Sequence, residues 1–250
     1  MKTKISKIKL TIALLFAFVL PVSVLAATPD IYICGTGSVT LSYTNPDYTL
    51  ATGDRVFWQK VDAAGVPIAG SAVVEKVVSA TETGALIVTG GTDLTGAGEH
   101  FWKSHVISAA PGGCTGDVSS AIDVYLLPPF EVTLTPASST YCEAGSTNTT
   151  KTIVTAAAAV TAGNTLPAGV DFAYDWSGST TNAGTVDATD QTKFNMTSTT
   201  VGTYTITSKA KYVAQGGKLV KGSTGTPCEE TGSTTIKVTP KPGTPTISVS

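Results

Sequence analysis

Val170-Asp171-Phe172-Ala173-Tyr174-Asp175-Trp176 is the stretch on which the fold turns. Val170, Phe172, Tyr174 and Trp176 recur at every second position, with Asp or Ala between them. A period of two places all four on one face of a pleated strand, the pattern of a strand buried on one side. A helix would distribute them around its axis. Far upstream, Arg55-Val56-Phe57-Trp58 centres a second strand on a tryptophan.

Working outward from the two tryptophans, the chain divides into two similar units. The first opens Thr28-Pro29-Asp30-Ile31-Tyr32-Ile33-Cys34-Gly35, followed by Ser38-Val39-Thr40-Leu41. The second opens Pro129-Phe130-Glu131-Val132-Thr133-Leu134, then Tyr141-Cys142-Glu143-Ala144-Gly145 and Thr152-Ile153-Val154. After each tryptophan comes a strand entered through a glycine, Gly98-Glu99-His100-Phe101-Trp102 or Gly202-Thr203-Tyr204-Thr205-Ile206, and then a second cysteine, Cys114 or Cys228. Ile122-Asp123-Val124-Tyr125-Leu126 and Thr235-Ile236-Lys237-Val238 close the units, each before a proline. Pro245-Thr246-Ile247-Ser248-Val249-Ser250 has the pattern of the second unit's opening and reads as the first strand of a third repeat. The alanine run within Thr155 to Val160 is too short to hold a helix by itself.

The ends and the composition bound the compartment. Lys2, Lys4, Lys7 and Lys9 precede an apolar run, Leu10 to Leu20, that Pro21 interrupts, and Val24-Leu25-Ala26 supplies compact residues. That is the grammar of a signal peptide cleaved after Ala26, too short to span a bilayer. Four of the sixteen Lys and Arg residues lie there, leaving twelve against eighteen acidic residues. A mildly acidic chain without a basic cluster is poorly suited to nucleic acid or anionic lipid. No second apolar run reaches membrane-spanning length, so the mature chain is not expected to insert. Thr and Val suit pleated surfaces, while Gly and Pro are scattered as turn punctuation. The expectation is all-β, with two sandwiches of about 100 residues each.

Val39-Thr40-Leu41-Ser42-Tyr43, then Phe57-Trp58, then the glycine-led strands resemble the immunoglobulin fold, with its B strand, C-strand tryptophan and F-strand tyrosine corner. With a cysteine at the first turn and another before the last strand, the units resemble the Ig-like and PKD-like repeats of large secreted Bacteroidetes-type surface proteins. The resemblance implies stalks, spacers and adhesive modules. Tyr43 takes the B-strand cysteine site, Trp102 or Ile206 the F-strand site, so the inter-sheet disulfide is replaced by apolar packing. His100 stands where the second unit has Tyr204, and a histidine there can still donate one hydrogen bond.

Four cysteines, Cys34, Cys114, Cys142 and Cys228, in an exported chain point to disulfides, and no Cys-x-x-Cys spacing supports a metal or redox site. Of three possible pairings, one bond per repeat (Cys34–Cys114 and Cys142–Cys228) is the simplest. A loop of about 80 residues would contribute roughly 4.5 kcal/mol in the chain-entropy model. It meets a difficulty. If Cys34 lies in the A–B turn and Cys114 in the F–G hairpin, they sit at opposite poles, about 23 Å apart along a seven-residue strand. Either the strand register or the pairing within repeats must give way.

The remaining chemistry-bearing residues point to no catalytic, cofactor-binding or metal-binding residue. His100 and His105, five apart in one strand, face opposite sides and cannot share an ion. Asp171, Asp175, Asp187 and Asp190 cluster in sequence and raise calcium as a possibility, but the EF-hand spacing is missing and ordinary loop carboxylates are favoured. There is no Gly-x-Ser-x-Gly elbow, and Gly35-Thr36-Gly37 opens no helix that would present its N-terminus to a phosphate. Phe101, Tyr43, Tyr48 and Tyr125 could stack on a sugar but more simply cover the sandwich or an inter-repeat contact.

The sequence therefore predicts a signal peptide over 1–26, Ig-like domains over 27–128 and 129–240, and a linker with the start of a third repeat over 241–250. The expected function is a non-enzymatic structural or adhesive repeat module, a stalk or spacer, secreted or on a bacterial cell surface. Its partners would be neighbouring repeats of the same chain and a protein or glycan ligand that the sequence does not name. The alternative is an accessory ligand- or carbohydrate-binding module attached to an enzyme beyond residue 250.

Overall fold

The computed structural model describes residues 29–144, 149–222, 228–245 and 247. The expected signal peptide and most of the expected third-repeat strand lie outside the described residues. Two β-sandwiches follow one another. The first uses β1 (Ile31–Cys34), β2 (Ser38–Leu41), β3 (Arg55–Val61), β4 (Val74–Val77), β5 (Leu86–Thr89), β6 (Gly98–Ile107) and β7 (Ile122–Leu127). The second uses β8 (Phe130–Pro136), β9 (Thr140–Cys142), β10 (Thr152–Val160), β11 (Val170–Asp175), β12 (Gly184–Val186), β13 (Lys193–Met196), β14 (Gly202–Ala214), β15 (Leu219–Lys221) and β16 (Glu229–Thr239).

Strand order identifies the fold as immunoglobulin-like. In the second sandwich one sheet runs β12-β13-β10-β8 and the other β11-β14-β16-β9. In immunoglobulin lettering these are D-E-B-A and C-F-G-A′. In the first, β2 pairs with β5 (B-E), and β1-β7-β6-β3-β4 gives A′-G-F-C-C′. In both, the A′ strand runs parallel to the G strand and stops level with it: Cys34 lies opposite Leu127, and Cys142 opposite Thr239.

The period-two stretches fold as their patterns require. Val170 and Trp176 are buried while Asp171 and Asp175 are exposed. The alanine run is part of β10, where β8 pairs along the run's whole length and supplies the support that a short helix would lack. Trp58 and Trp176 each anchor a core and satisfy their indole N–H: Trp58 donates to the Gly84 carbonyl at 2.8 Å, Trp176 to the Gln191 carbonyl at 2.9 Å. Around Trp58 pack Val39, Leu41, Val56, Val88, Trp102 and Val106; around Trp176 pack Val154, Phe194, Met196, Ile206 and Ile236.

Trp102 and Ile206 are both buried, as apolar packing in place of a disulfide demands. The B-strand assignment needs a correction. β2 ends at Leu41, which is buried, so Leu41 fills that position and Tyr43 lies beyond the strand, half-buried against the core edge. The corner residues behave alike. The Tyr204 hydroxyl donates to the Thr200 carbonyl at 2.9 Å, and His100 Nε2 lies 3.1 Å from the Gly96 carbonyl, each reaching back four residues. Burial, the larger influence, holds the His100 imidazole below its usual pKa and so favours the neutral ring.

Candidate functional site

The feature that sets this chain apart from two beads on a string lies between the sandwiches. Only Pro128 and Pro129 separate the end of β7 from the start of β8. Proline fixes φ and removes a donor, so this connection has little freedom to bend. The A–B end of the first sandwich is thereby pressed against the F–G end of the second.

Beyond β14 the second sandwich sends out an arm. A short 3-10 turn, Gln215–Gly217, redirects the chain, and β15 then adds in parallel to the free edge of β1. The register pairs Ile31 with Leu219, Tyr32 with Val220 and Ile33 with Lys221. The first sandwich's sheet becomes six-stranded, its outermost strand supplied by the second. An exposed sheet edge is a ready template for another strand, and here the chain occupies its own. Gly37 makes room for the arm. A Cβ there would meet the Lys221 carbonyl oxygen at 2.5 Å and the Cys34 carbonyl oxygen at 3.0 Å, both backbone atoms that cannot swing away.

A disulfide between Cys34 and Cys228 closes the junction, with the two Cα atoms 5.7 Å apart and the residues 194 positions apart in sequence. The pairing within each repeat does not form, and Cys114 and Cys142 are free and exposed. The reason is the difficulty already met. A–B and F–G ends of one sandwich point to opposite poles, but in a tandem array the A–B end of one unit faces the F–G end of the next. Cys34 does end an A′ strand and Cys114 does lie in an F–G hairpin, so it is the pairing within repeats that gives way.

Beneath the disulfide lies a third apolar cluster, to which both sandwiches contribute. Tyr32, Cys34 and Leu127 of the first meet Phe130, Val170 and Tyr212 of the second. Phe130, Phe172 and Tyr212 form a triangle with ring centroids 4.7 to 5.0 Å apart, each contact contributing about 0.5–1.5 kcal/mol beyond area burial. The buried Tyr212 hydroxyl donates to the Pro128 carbonyl at 2.7 Å, tying the linker to the second sandwich's F strand. Beside the cluster opens a groove of about 470 Å³, lined by Cys34, Leu126, Leu127, Pro129, Cys228 and Glu230 among others.

At the rim, Lys218 of the arm reaches Asp30 at 3.5 Å. Close by, the Asp123 carboxyl has one buried oxygen without a hydrogen-bond partner. Burial, then the nearby charges of Glu99 and Asp30, push its pKa up to about 7, and Lys218 only partly offsets them. The folded state thus keeps a proton that an unfolded aspartate releases near pH 4. The resulting stabilisation is complete below about pH 4 and is lost as pH rises through 7. Asp123 should therefore lower the melting temperature between pH 5 and 8, against the opposite contribution of His100, whose neutral ring the fold favours. Asp123→Asn should flatten that dependence and add about 1 kcal/mol at pH 8, a figure reduced for partial solvent screening. Calorimetry of both proteins at pH 5 and 8 checks this.

The residues weighed for other chemistry stay apart. His105 stacks on Phe57 on the outer face, with ring centroids 4.9 Å apart, while His100 turns inward at the corner. Asp171 and Asp175 lie on β11, and Asp187 and Asp190 belong to the loop between β12 and β13 in the opposite sheet. Asp175 binds Ser177, Asp187 binds Thr189 and Asn195, and Asp190 binds Thr192 and Lys193. Among the described residues no group of three or more His, Cys, Asp or Glu is placed to hold a metal ion. No helix among them is long and apolar enough to cross a membrane.

Sequence reading missed the arm, Tyr212 and Asp54. Asp54 is buried and staples a loop, its carboxylate accepting from the Tyr48 hydroxyl and from the backbone N–H groups of Ala51 and Ala109. Burial alone would raise its pKa, but these donors hold it below the ordinary value.

No family model and no curated protein matches this sequence. Solved structures similar to it include PcdhgB3 EC1-4, at 10% identity over 86% of this chain and 49% of that one, TM-score 0.29. Drosophila OTK extracellular domains 3-5 is 15% identical over 85% of this chain and 63% of that one, TM-score 0.24. Human CDH23 EC21-23 is 15% identical over 84% and 71%, TM-score 0.25. The chain spans about half the length of the first of these.

Proposed function

We propose that this chain is a non-enzymatic extracellular structural or adhesive module, a stiff spacer within a bacterial cell-surface or secreted protein. The Cys34–Cys228 bond carries the reading. β1 lies along the end of the first sandwich's G strand and ends at Cys34; β16 begins beside Cys228 and runs the length of the second sandwich. The disulfide joins them into one covalent line, and the residues between 34 and 228 hang from it as a closed loop. Tension applied at the ends passes along β1, through the sulfurs and along β16. The sandwiches bear that load without being pulled open. A disulfide of this kind belongs to an oxidising compartment, in keeping with export.

Pulling single molecules from both ends tests the reading. Under oxidising conditions the chain should lengthen only by its terminal segments. After reduction a further 194 residues become available, about 650 Å at the reach of an extended chain. Equal lengthening in both states would refute the covalent load path, and turnover of a polysaccharide or peptide panel by the purified chain would refute the non-enzymatic reading.

The junction groove supports a second reading, an accessory ligand- or carbohydrate-binding module, since its apolar lining beside Glu229 and Glu230 is of ligand-site size. A glycan array separates the two: retention abolished by a bulky substitution at Leu126 favours the binding module, and no retention favours the spacer.

A further inference from the structure

The two free cysteines repeat, at the outer poles, the two halves of the bond that forms between the sandwiches. Cys34 is the last residue of its A′ strand and lies level with the last residue of the G strand; Cys142 occupies the same position in the second sandwich. The chain leaving the G strand passes beside each of them. Pro128 and Pro129 line the groove that Cys34 shares, and the Cys142 thiol lies 3.6 Å from the Pro240 carbonyl.

The F–G cysteines correspond in the same way. The Cys228 carbonyl accepts from the Tyr212 N–H at 3.1 Å, and the Cys114 carbonyl from the Ser108 N–H at 3.0 Å, so both sit across the hairpin from the F-strand end. Each adjoins a recess with aromatic walls. Beside Cys228 are Phe130 and Tyr212; beside Cys114 a groove of about 300 Å³ is lined by Tyr43, Tyr48 and Val106. The correspondence is incomplete at one point. Cys114 comes six positions after Ser108 where Cys228 comes sixteen after Tyr212, so the first sandwich has no arm to add to a neighbour's edge.

We infer that Cys142 of one chain and Cys114 of a second copy form a disulfide, joining copies head to tail in the relation that Cys34 and Cys228 already hold within one chain. The contact is heterologous, so copies add head to tail. Two thiols become one disulfide, and a small-molecule disulfide such as oxidised glutathione takes up both hydrogens and is reduced to two thiols. Unpaired cysteines left over in an exported protein are suited to this intermolecular use. The inference rests on the spacer reading for its oxidising surroundings. The pulling experiment leaves Cys114 and Cys142 untouched, so the two can fail separately.

The test uses the whole chain and two variants, Cys114→Ser and Cys142→Ser, in a glutathione redox buffer. Both positions are exposed, and circular dichroism together with an intact Cys34–Cys228 peptide confirms folding. Wild type should give a ladder on non-reducing gels. Each variant alone should stay largely monomeric. Their equimolar mixture should give one cross-linked dimer at least ten times faster, containing a Cys142–Cys114 peptide by mass spectrometry. Either variant dimerising alone as fast as the mixture, or no cross-linking in any sample, would overturn the proposal.

Discussion

Replacing both Cys34 and Cys228 by serine should cost about 5 kcal/mol of stability, the entropy that a 194-residue closed loop removes from the unfolded chain. Changing both avoids leaving one thiol to pair with Cys114 or Cys142. The loop takes in most of both sandwiches, so its loss acts on each of them. It should also change the form of the transition. With the bond intact, the arm, the apolar cluster and the short linker hold two sandwiches as one cooperative body. Without it, three parallel residue pairs, the Lys218–Asp30 ion pair, the junction cluster and the short linker remain to couple them among the described residues, and unfolding should separate into two steps. Urea unfolding followed by fluorescence reads this out, because Trp58 and Trp102 report on the first sandwich and Trp176 on the second. A single transition of unchanged midpoint in the double variant would contradict the coupling.

Tyr212→Ala should be the second large effect, about 3–5 kcal/mol. It removes a buried aromatic side chain, deletes two ring contacts and leaves the Pro128 carbonyl without its donor. Tyr212→Phe keeps the ring and should cost only about 1–1.5 kcal/mol, the net value of one hydrogen bond. The diagnostic consequence lies across the junction. Tyr212 belongs to the second sandwich, yet its loss should speed amide exchange at Ile31, Tyr32 and Ile33 of the first, because the cluster that backs β1 loses its central ring. Exchange confined to the second sandwich would mean that the two units stand independently.

How much of this was legible in the sequence follows from the range of each signal. Period two marked the strands around Trp58 and Trp176 because alternation is local and a single face is buried. The corner roles of His100 and Tyr204 could be read because a hydrogen bond four residues back needs no distant partner. The Cys34–Cys228 pair was hidden because its partners lie 194 residues apart and in different sandwiches. Only the stacking of one unit's A–B end on the next unit's F–G end brings them together. The arm was hidden for a related reason. Leu219-Val220-Lys221 is too short for a periodic signal, and the edge it completes belongs to the other sandwich. Asp54 and Asp123 look like ordinary loop and strand carboxylates until burial and neighbouring charges are known.

The central claim is that the arm and its disulfide fix the two sandwiches relative to one another. Cys114, in the first sandwich's F–G hairpin, and Cys142, at the end of the second sandwich's A′ strand, are exposed thiols and accept nitroxide spin labels before any oxidant is added. Pulsed electron–electron resonance between them should give one narrow distance distribution in the wild type, broadening when Cys34 and Cys228 are both serine. A broad distribution in the wild type, or a width indifferent to the disulfide, would contradict it.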